Sequence, residues 1–167
     1  MVSKIIVGAL IVGYLGYIVF ERFYQKSLRK SFTHVIHVNG TRGKSTITRL
    51  IDAGVRNCGF RVFSKTTGTI PTIINTANEQ VVIKRLGLAN IREQLKMMRL
   101  AQKEKAEVLV IECMAVSPEL QYISQDKMLE ADIAVITNVR LDHLQEMGSS
   151  LPEIASSLAN VIPKAKH

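Results

Sequence analysis

Tryptophan is absent, and Phe and Tyr together make up only 5% of the 167 residues, so any core must be built from aliphatic side chains. There are two cysteines, Cys58 and Cys113, and neither stands in a CxxC pair or a Cys/His cluster. That excludes a disulfide framework and gives no spacing for structural zinc. With 4 Pro, 10 Gly and 47% hydrophobic residues, the chain is not collagen-like, low-complexity or wholly disordered. No long run of like charges occurs, and basic residues do not interleave with aromatics. The net charge of +8 therefore does not read as a nucleic-acid face. The length suits about one domain.

Charge is also missing from one stretch, and this absence is informative. Ile5–Phe20, IIVGALIVGYLGYIVF, contains no charged side chain. Sixteen helical residues span roughly 24 Å, and flanking residues with Lys4 and Arg22 snorkelling extend that to a bilayer's width. The run ends in VFERFYQK, which offers no small-residue cleavage site, so an uncleaved anchor over residues 1–24 is expected rather than a signal peptide. Half of the net positive charge falls within the first thirty residues, most of it just after the apolar run. The positive-inside bias then places a basic linker, 25–33, and the rest of the chain on the cytoplasmic side of the cell membrane.

Beyond the linker the pattern alternates between strands and helices. His34–Val38 is a β-branched run and Asn39–Lys44 a Gly-containing turn. Ser45–Cys58 follows with Ile47, Leu50, Ile51 and Val55 at helical spacing. Arg61–Ser64 reads as a strand, and Thr72–Asn75 with Val81–Lys84 as a small hairpin or an irregular excursion. Asn90, with Glu93 three residues on, predicts a capped helix whose buried face carries Ile91, Leu95, Met98 and Ala101–Gln102. Val108–Glu112 and Ile133–Thr137 read as strands buried on both faces. Ser117-Pro118-Glu119 and Ser150-Leu151-Pro152-Glu153 are helix starts, and Pro163 closes the last helix. The expected fold is α/β with a mostly parallel sheet of P-loop type, where ligands gather beyond the carboxyl ends of strands.

Three such strand ends carry chemistry. The first is Asn39-Gly40-Thr41-Arg42-Gly43-Lys44-Ser45-Thr46. Its glycines let the backbone wrap a phosphate, Lys44 can reach the β- and γ-phosphates, and the Ser45 hydroxyl can ligate Mg2+. The common longer spacing would need Gly where Val38 stands, so this is the shorter G-T-x-G-K-[ST] variant. The second is Glu112, a carboxylate at the tip of a buried strand, suited to meet a cation. Cys113 beside it reads as a packing residue. The third is Asn138 with Asp142 and His143, where the histidine could hold a second metal ion or a phosphate while the other two orient neighbours.

These three sites, in this order, resemble the central ATPase domain of Mur-type amide ligases. More narrowly, NGTRGKST, KTTGT (Lys65–Thr69), NIREQ (Asn90–Gln94), ECMAVSPE, the MG…L-x-E-I-A stretch (Met147–Ala155) and the N-terminal anchor resemble the ligase subunits of poly-γ-glutamate synthases. The resemblance implies that residues 34–167 are part of a Mur-type ATP-binding domain. It further implies ATP and Mg2+ as cofactors and an acyl phosphate made on glutamate or poly-γ-glutamate. An amine then attacks that acyl phosphate to give an amide. Lys44, Glu112 and His143 are implied as catalytic residues, with Ser45, Glu112 and His143 holding metal. Membrane subunits of a polymer synthase and export complex are implied as partners.

Two departures stand out. Asp142-His143-Leu144-Gln145 replaces the frequent D-H-x-D, and no lysine lies between Lys127 and Lys164, where many relatives place a metal-bridging modified one. Family members run to about twice this length or more, so the chain is expected to be a portion of a longer enzyme. The competing readings are another Mur-type ligase, acting on a peptidoglycan precursor or a folate, and a membrane-anchored P-loop regulatory ATPase. The latter would want the longer spacing and a tyrosine cluster, which are absent. A non-enzymatic nucleotide-binding scaffold is a further reading for a fragment.

Overall fold

The computed structural model describes residues 2–85, 87 and 90–164. Helix α1 covers Val2–Lys30, and its Ile5–Lys30 stretch is long and apolar enough to cross a membrane, with none of its most apolar window buried against the rest of the chain. Residues 25–30, expected as part of a linker, continue this helix without a break. No Gly or Pro interrupts Glu21–Lys30, and the helix end is fastened to the body. Leu28 is buried, and Arg29 reaches Asp132 at 2.6 Å and the carbonyls of Phe32 and Glu130. Arg99 also lies over the ring of Tyr24, 5.4 Å from its centroid.

The body is a six-stranded sheet in the order β4-β3-β2-β5-β1-β6. Strands β1 (His34–Asn39), β2 (Val62–Thr66), β5 (Val108–Glu112) and β6 (Ile133–Ile136) run parallel. Strands β3 (Thr72–Ile74) and β4 (Gln80–Val82) add the hairpin antiparallel at one edge. The period of two sorts side chains between two faces. Ile36, Val38, Val62, Val108 and Val110 meet Ile47, Ile51 and Val55 of α2 (Lys44–Asn57). Val35, Phe63, Leu109 and Ile111 on the opposite face meet Leu95, Met97 and Met98 of α3 (Glu93–Lys103), together with the end of α1. The result is a three-layer α/β fold.

Three expectations are corrected. Leu50, at helical spacing with its neighbours, points to solvent at 62% exposure, because the stripe that meets the sheet is narrowed to Ile47, Ile51 and Val55. Strand β6 is an edge strand with Ile133 and Ile136 exposed, since only β1 pairs with it. Gln102 is exposed, and α3 begins at Glu93. Asn90 opens the preceding turn, its side-chain oxygen accepting from the Arg92 N–H.

The remaining starts match their motifs. Ser117 caps α4 (Pro118–Ile123) through the Leu120 N–H, and Ser150 with Glu153 closes a capping box on α6 (Leu151–Leu158). A π-helical turn, Ser124–Leu129, extends α4. The inner polar side of α4 and this turn meets the sheet: Gln121 accepts from Asn39 and Gln125 pairs with His37.

Candidate functional site

Strands β1, β2, β5 and β6 all end at one edge, and the loops that follow them converge there. Register pairs Val38 with Glu112, and the Cys113 N–H donates to the Val38 carbonyl at 2.7 Å, so the end of β5 lies directly beside the start of the glycine loop. Gly40 takes φ +131 and Gly43 φ +78, backbone states that L side chains disfavour. They turn the chain so that α2 starts at Lys44 with its N-terminus open to the loop's concavity. The Lys44 ammonium curls over that loop, donating to the carbonyls of Gly40 at 2.7 Å and Thr41 at 3.4 Å.

Glu112 is the centre of the arrangement. It is 2% exposed, and its Oε2 accepts from the Ser45 hydroxyl and from the Thr67 N–H, both at 2.7 Å. The loop after β2 approaches so closely that a Cβ on Gly68 would lie 2.9 Å from Ser45 Oγ. A buried carboxylate held by one hydroxyl and one amide keeps lone pairs for a cation. Lys44, Glu112 and His143 line one cleft of ≈ 220 Å³ together with Thr67, Gly68 and Arg85. The three expected catalytic residues therefore meet at one place.

The third expected cluster is a clamp on the loop. The Asn138 carboxamide donates to the Arg42 carbonyl at 2.9 Å and accepts from the Arg42 N–H at 3.1 Å. Thr137 Oγ1 donates to the same carbonyl at 2.7 Å, and the Arg140 N–H donates to Thr41 Oγ1 at 3.0 Å. Asp142 forms an ion pair with Arg42 at 2.8 Å. Asn138, Asp142, Thr41 and Arg42 thus hold the loop's shape with groups that were expected to face a ligand. Asn39 is likewise turned inward, its carboxamide committed to Gln121 at 2.8 Å. Thr46 is exposed on the first turn of α2. His143 is exposed, sits at φ +49 ahead of α5 (Leu144–Met147), and its ring has no hydrogen-bond partner among the described residues.

Sequence reasoning did not find the ion network in the cleft wall. Lys65 on β2 is fully buried, and its ammonium lies 2.7 Å from Glu93 Oε1. Arg85 donates to both oxygens of the same carboxylate, at 2.7 and 2.9 Å. The Arg85 hydrogen bonds hold the Glu93 carboxyl down at about 2 against the effect of burial. Burial lowers the Lys65 pKa, opposed by Glu93. The one available signal was a lysine, Lys65, directly after the strand expected over Arg61–Ser64. Desolvation raises the Cys113 thiol to about 11, which fits packing and not nucleophilic chemistry.

Among the described residues no three His, Cys, Asp or Glu side chains gather into a metal cluster. The Ser45–Glu112 pair nevertheless fits Mg2+, which takes one or two protein oxygens and completes its shell with waters and phosphate.

Residues 38–164 match the Mur ligase middle domain. The chain is 41% identical over 149 residues to the capsule biosynthesis protein CapB of Bacillus anthracis, covering 88% of this chain and 32% of that protein. It is 40% identical over 134 residues to the PGA synthase CapB of Bacillus subtilis (strain 168), covering 79% and 34%. The chain therefore spans about a third of the length of the curated relatives it matches. Among solved structures, E. coli FolC in complex with ADP and without folate substrate superimposes with a TM-score of 0.63 at 18% identity, over 90% of this chain and 42% of that one. The ligand-free bifunctional folylpolyglutamate synthase/dihydrofolate synthase of Yersinia pestis gives 0.58 at 19% identity, over 84% and 39%. At such identities the likeness is one of fold.

Proposed function

We propose a function that proceeds from one fact: this chain belongs to the Mur ligase family, through its middle domain. It supplies the nucleotide-binding part of an ATP-dependent ligase that joins glutamate to glutamate or to a growing poly-γ-glutamate chain. The narrower substrate is supported by the 40–41% identity to the two CapB proteins. The observation that carries the reading is the 2.7 Å contact between Ser45 Oγ and Glu112, in the cleft that Lys44 also lines.

ATP supplies the activating phosphoryl group: a substrate carboxylate takes it to become an acyl phosphate, and an amine then displaces phosphate to form the amide. Two anions must be brought together for this, so the site has to offset their repulsion. The loop amides before α2 receive phosphate oxygens, as helix N-termini do. Lys44 exchanges its carbonyl partners at Gly40 and Thr41 for phosphate, and Ser45 with Glu112 would hold Mg2+. His143 stands in the cleft as a phosphate or second-ion contact. Asn138 and Asp142 keep the loop in its receiving shape. Helix α1 anchors the chain in the cell membrane, with Arg22–Lys30 on the cytoplasmic side. There it joins membrane subunits that assemble and export the polymer.

The test is calorimetric titration of the detergent-solubilised chain with ADP or a non-hydrolysable ATP analogue, with and without Mg2+. Nucleotide should bind more tightly with Mg2+. Lys44→Ala should weaken binding by about 10- to 150-fold, the worth of a charged hydrogen bond. Glu112→Gln should remove the Mg2+ effect. Unchanged binding in both variants would sink the assignment. In a turnover-competent preparation, phosphate release should depend on glutamate and not on a pteroate, which separates this ligase from a folate one.

A further inference from the structure

One wall of the cleft is left unused by the chemistry above. Arg85 lines it together with Lys44, Glu112 and His143. Through Nε and Nη2 it grips both oxygens of Glu93, and Glu93 Oε1 is also the ion-pair partner of the fully buried Lys65. Two cations thus share one carboxylate. Among the described residues no other acid lies within ion-pair reach of Lys65, whose next contact is Met114 Sδ at 3.6 Å. Glu112 acts on Lys65 only through space, and its Oε2 already accepts from Ser45 and Thr67.

A desolvated positive charge without an equal counter-charge is unfavourable unless an anion completes the set. The network presents its excess to the cleft at one point. The Arg85 side chain is 23% exposed, and its Nη1 has no hydrogen-bond partner among the described residues. A guanidinium fixed along one edge has its other edge oriented for an incoming carboxylate.

We infer that Arg85 is the docking group for a carboxylate of the glutamate unit that reacts in this cleft, with Glu93 and Lys65 as the positioning residues that hold its guanidinium in place. The inference rests on the ligase reading and names the part of the site that receives the acid rather than the nucleotide. Free glutamate and the end of a γ-linked chain both present this group.

The experiment uses the whole chain in dodecyl maltoside. It is titrated with L-glutamate and with γ-linked triglutamate in the presence of Mg2+ and a non-hydrolysable ATP analogue, and nucleotide binding is measured separately. Arg85→Ala should weaken the carboxylate ligand at least tenfold and leave nucleotide affinity within twofold. Arg85→Lys should restore part of the loss. Loss for triglutamate alone assigns the site to the chain end, and loss for glutamate alone to the free amino acid.

Wild-type affinity for both ligands in Arg85→Ala would overturn the inference. So would a wild-type chain that binds nucleotide but neither ligand. A parallel fall of nucleotide affinity, carboxylate affinity and melting temperature in Arg85→Ala would also overturn it, showing a wall that only supports the fold. A wild-type chain that fails to bind nucleotide strikes the ligase reading itself, and this inference falls with it.

Discussion

Replacing Gly40 with alanine should destabilise the chain far more than the same change at Gly43, although both glycines have positive φ in the same loop. At Gly43, φ is +78 and an added Cβ meets nothing within 4 Å, so the cost is the left-handed backbone alone, about 1–2 kcal/mol. At Gly40, φ is +131 and the Cβ would fall 2.1 Å from Thr137 Oγ1 and 2.9 Å from the Thr137 N. Backbone strain of about 1–3 kcal/mol is then joined by an overpacking cost of about 1–3 kcal/mol. For a domain of this size, central values correspond to a fall in Tm of about 12 °C for Gly40→Ala and about 5 °C for Gly43→Ala. Thermal unfolding followed by circular dichroism without nucleotide measures both. The contact term can be isolated by adding Thr137→Ala, which removes the nearest atom. Thr137→Ala alone should cost about 1 kcal/mol, because it also loses the hydrogen bond to the Arg42 carbonyl. The double variant should be less destabilised than additivity requires, by at least about 1 kcal/mol. Equal shifts for the two glycines, together with strict additivity of Gly40→Ala and Thr137→Ala, would refute this account of the loop.

Two further outcomes are expected. His37 is fully buried, and desolvation lowers its pKa from 6.5 to about 4, so the folded chain resists a proton that the unfolded chain accepts. Stability should be complete above pH 6.5 and fall by up to about 3 kcal/mol as the pH drops to 4; a His37→Asn variant should lose this dependence in denaturant melts. Leu50→Ala should change stability by no more than about 0.5 kcal/mol, whereas Met98→Ala, at a site with no exposure, should cost about 2–5 kcal/mol by chemical denaturation.

What the sequence disclosed about the site was local. The glycine loop, Glu112 at a strand tip and the helix starts at Ser117 and Ser150 are each written in a few consecutive residues, and the backbone answers to them directly. The clamp of Asn138 on Arg42 spans 96 positions, and nothing in either segment indicates that their polar groups satisfy one another. Lys65 and Glu93 lie in separate elements, and Arg85 follows an irregular hairpin, so their shared carboxylate exists only once β2 and α3 are packed together. Leu50 shows the reverse failure. Helical spacing identifies an apolar stripe, but not how wide a strip of it the sheet covers.

Helix α1 enters the body without a swivel, and β1 begins four residues after it ends. The six-residue β1 rises about 3.3 Å per residue, which puts the cleft roughly 20 Å from the end of α1, at the far rim of the sheet. Were α1 to lie in a bilayer, as proposed above, any lean of the helix would swing the mouth of the cleft by the same angle.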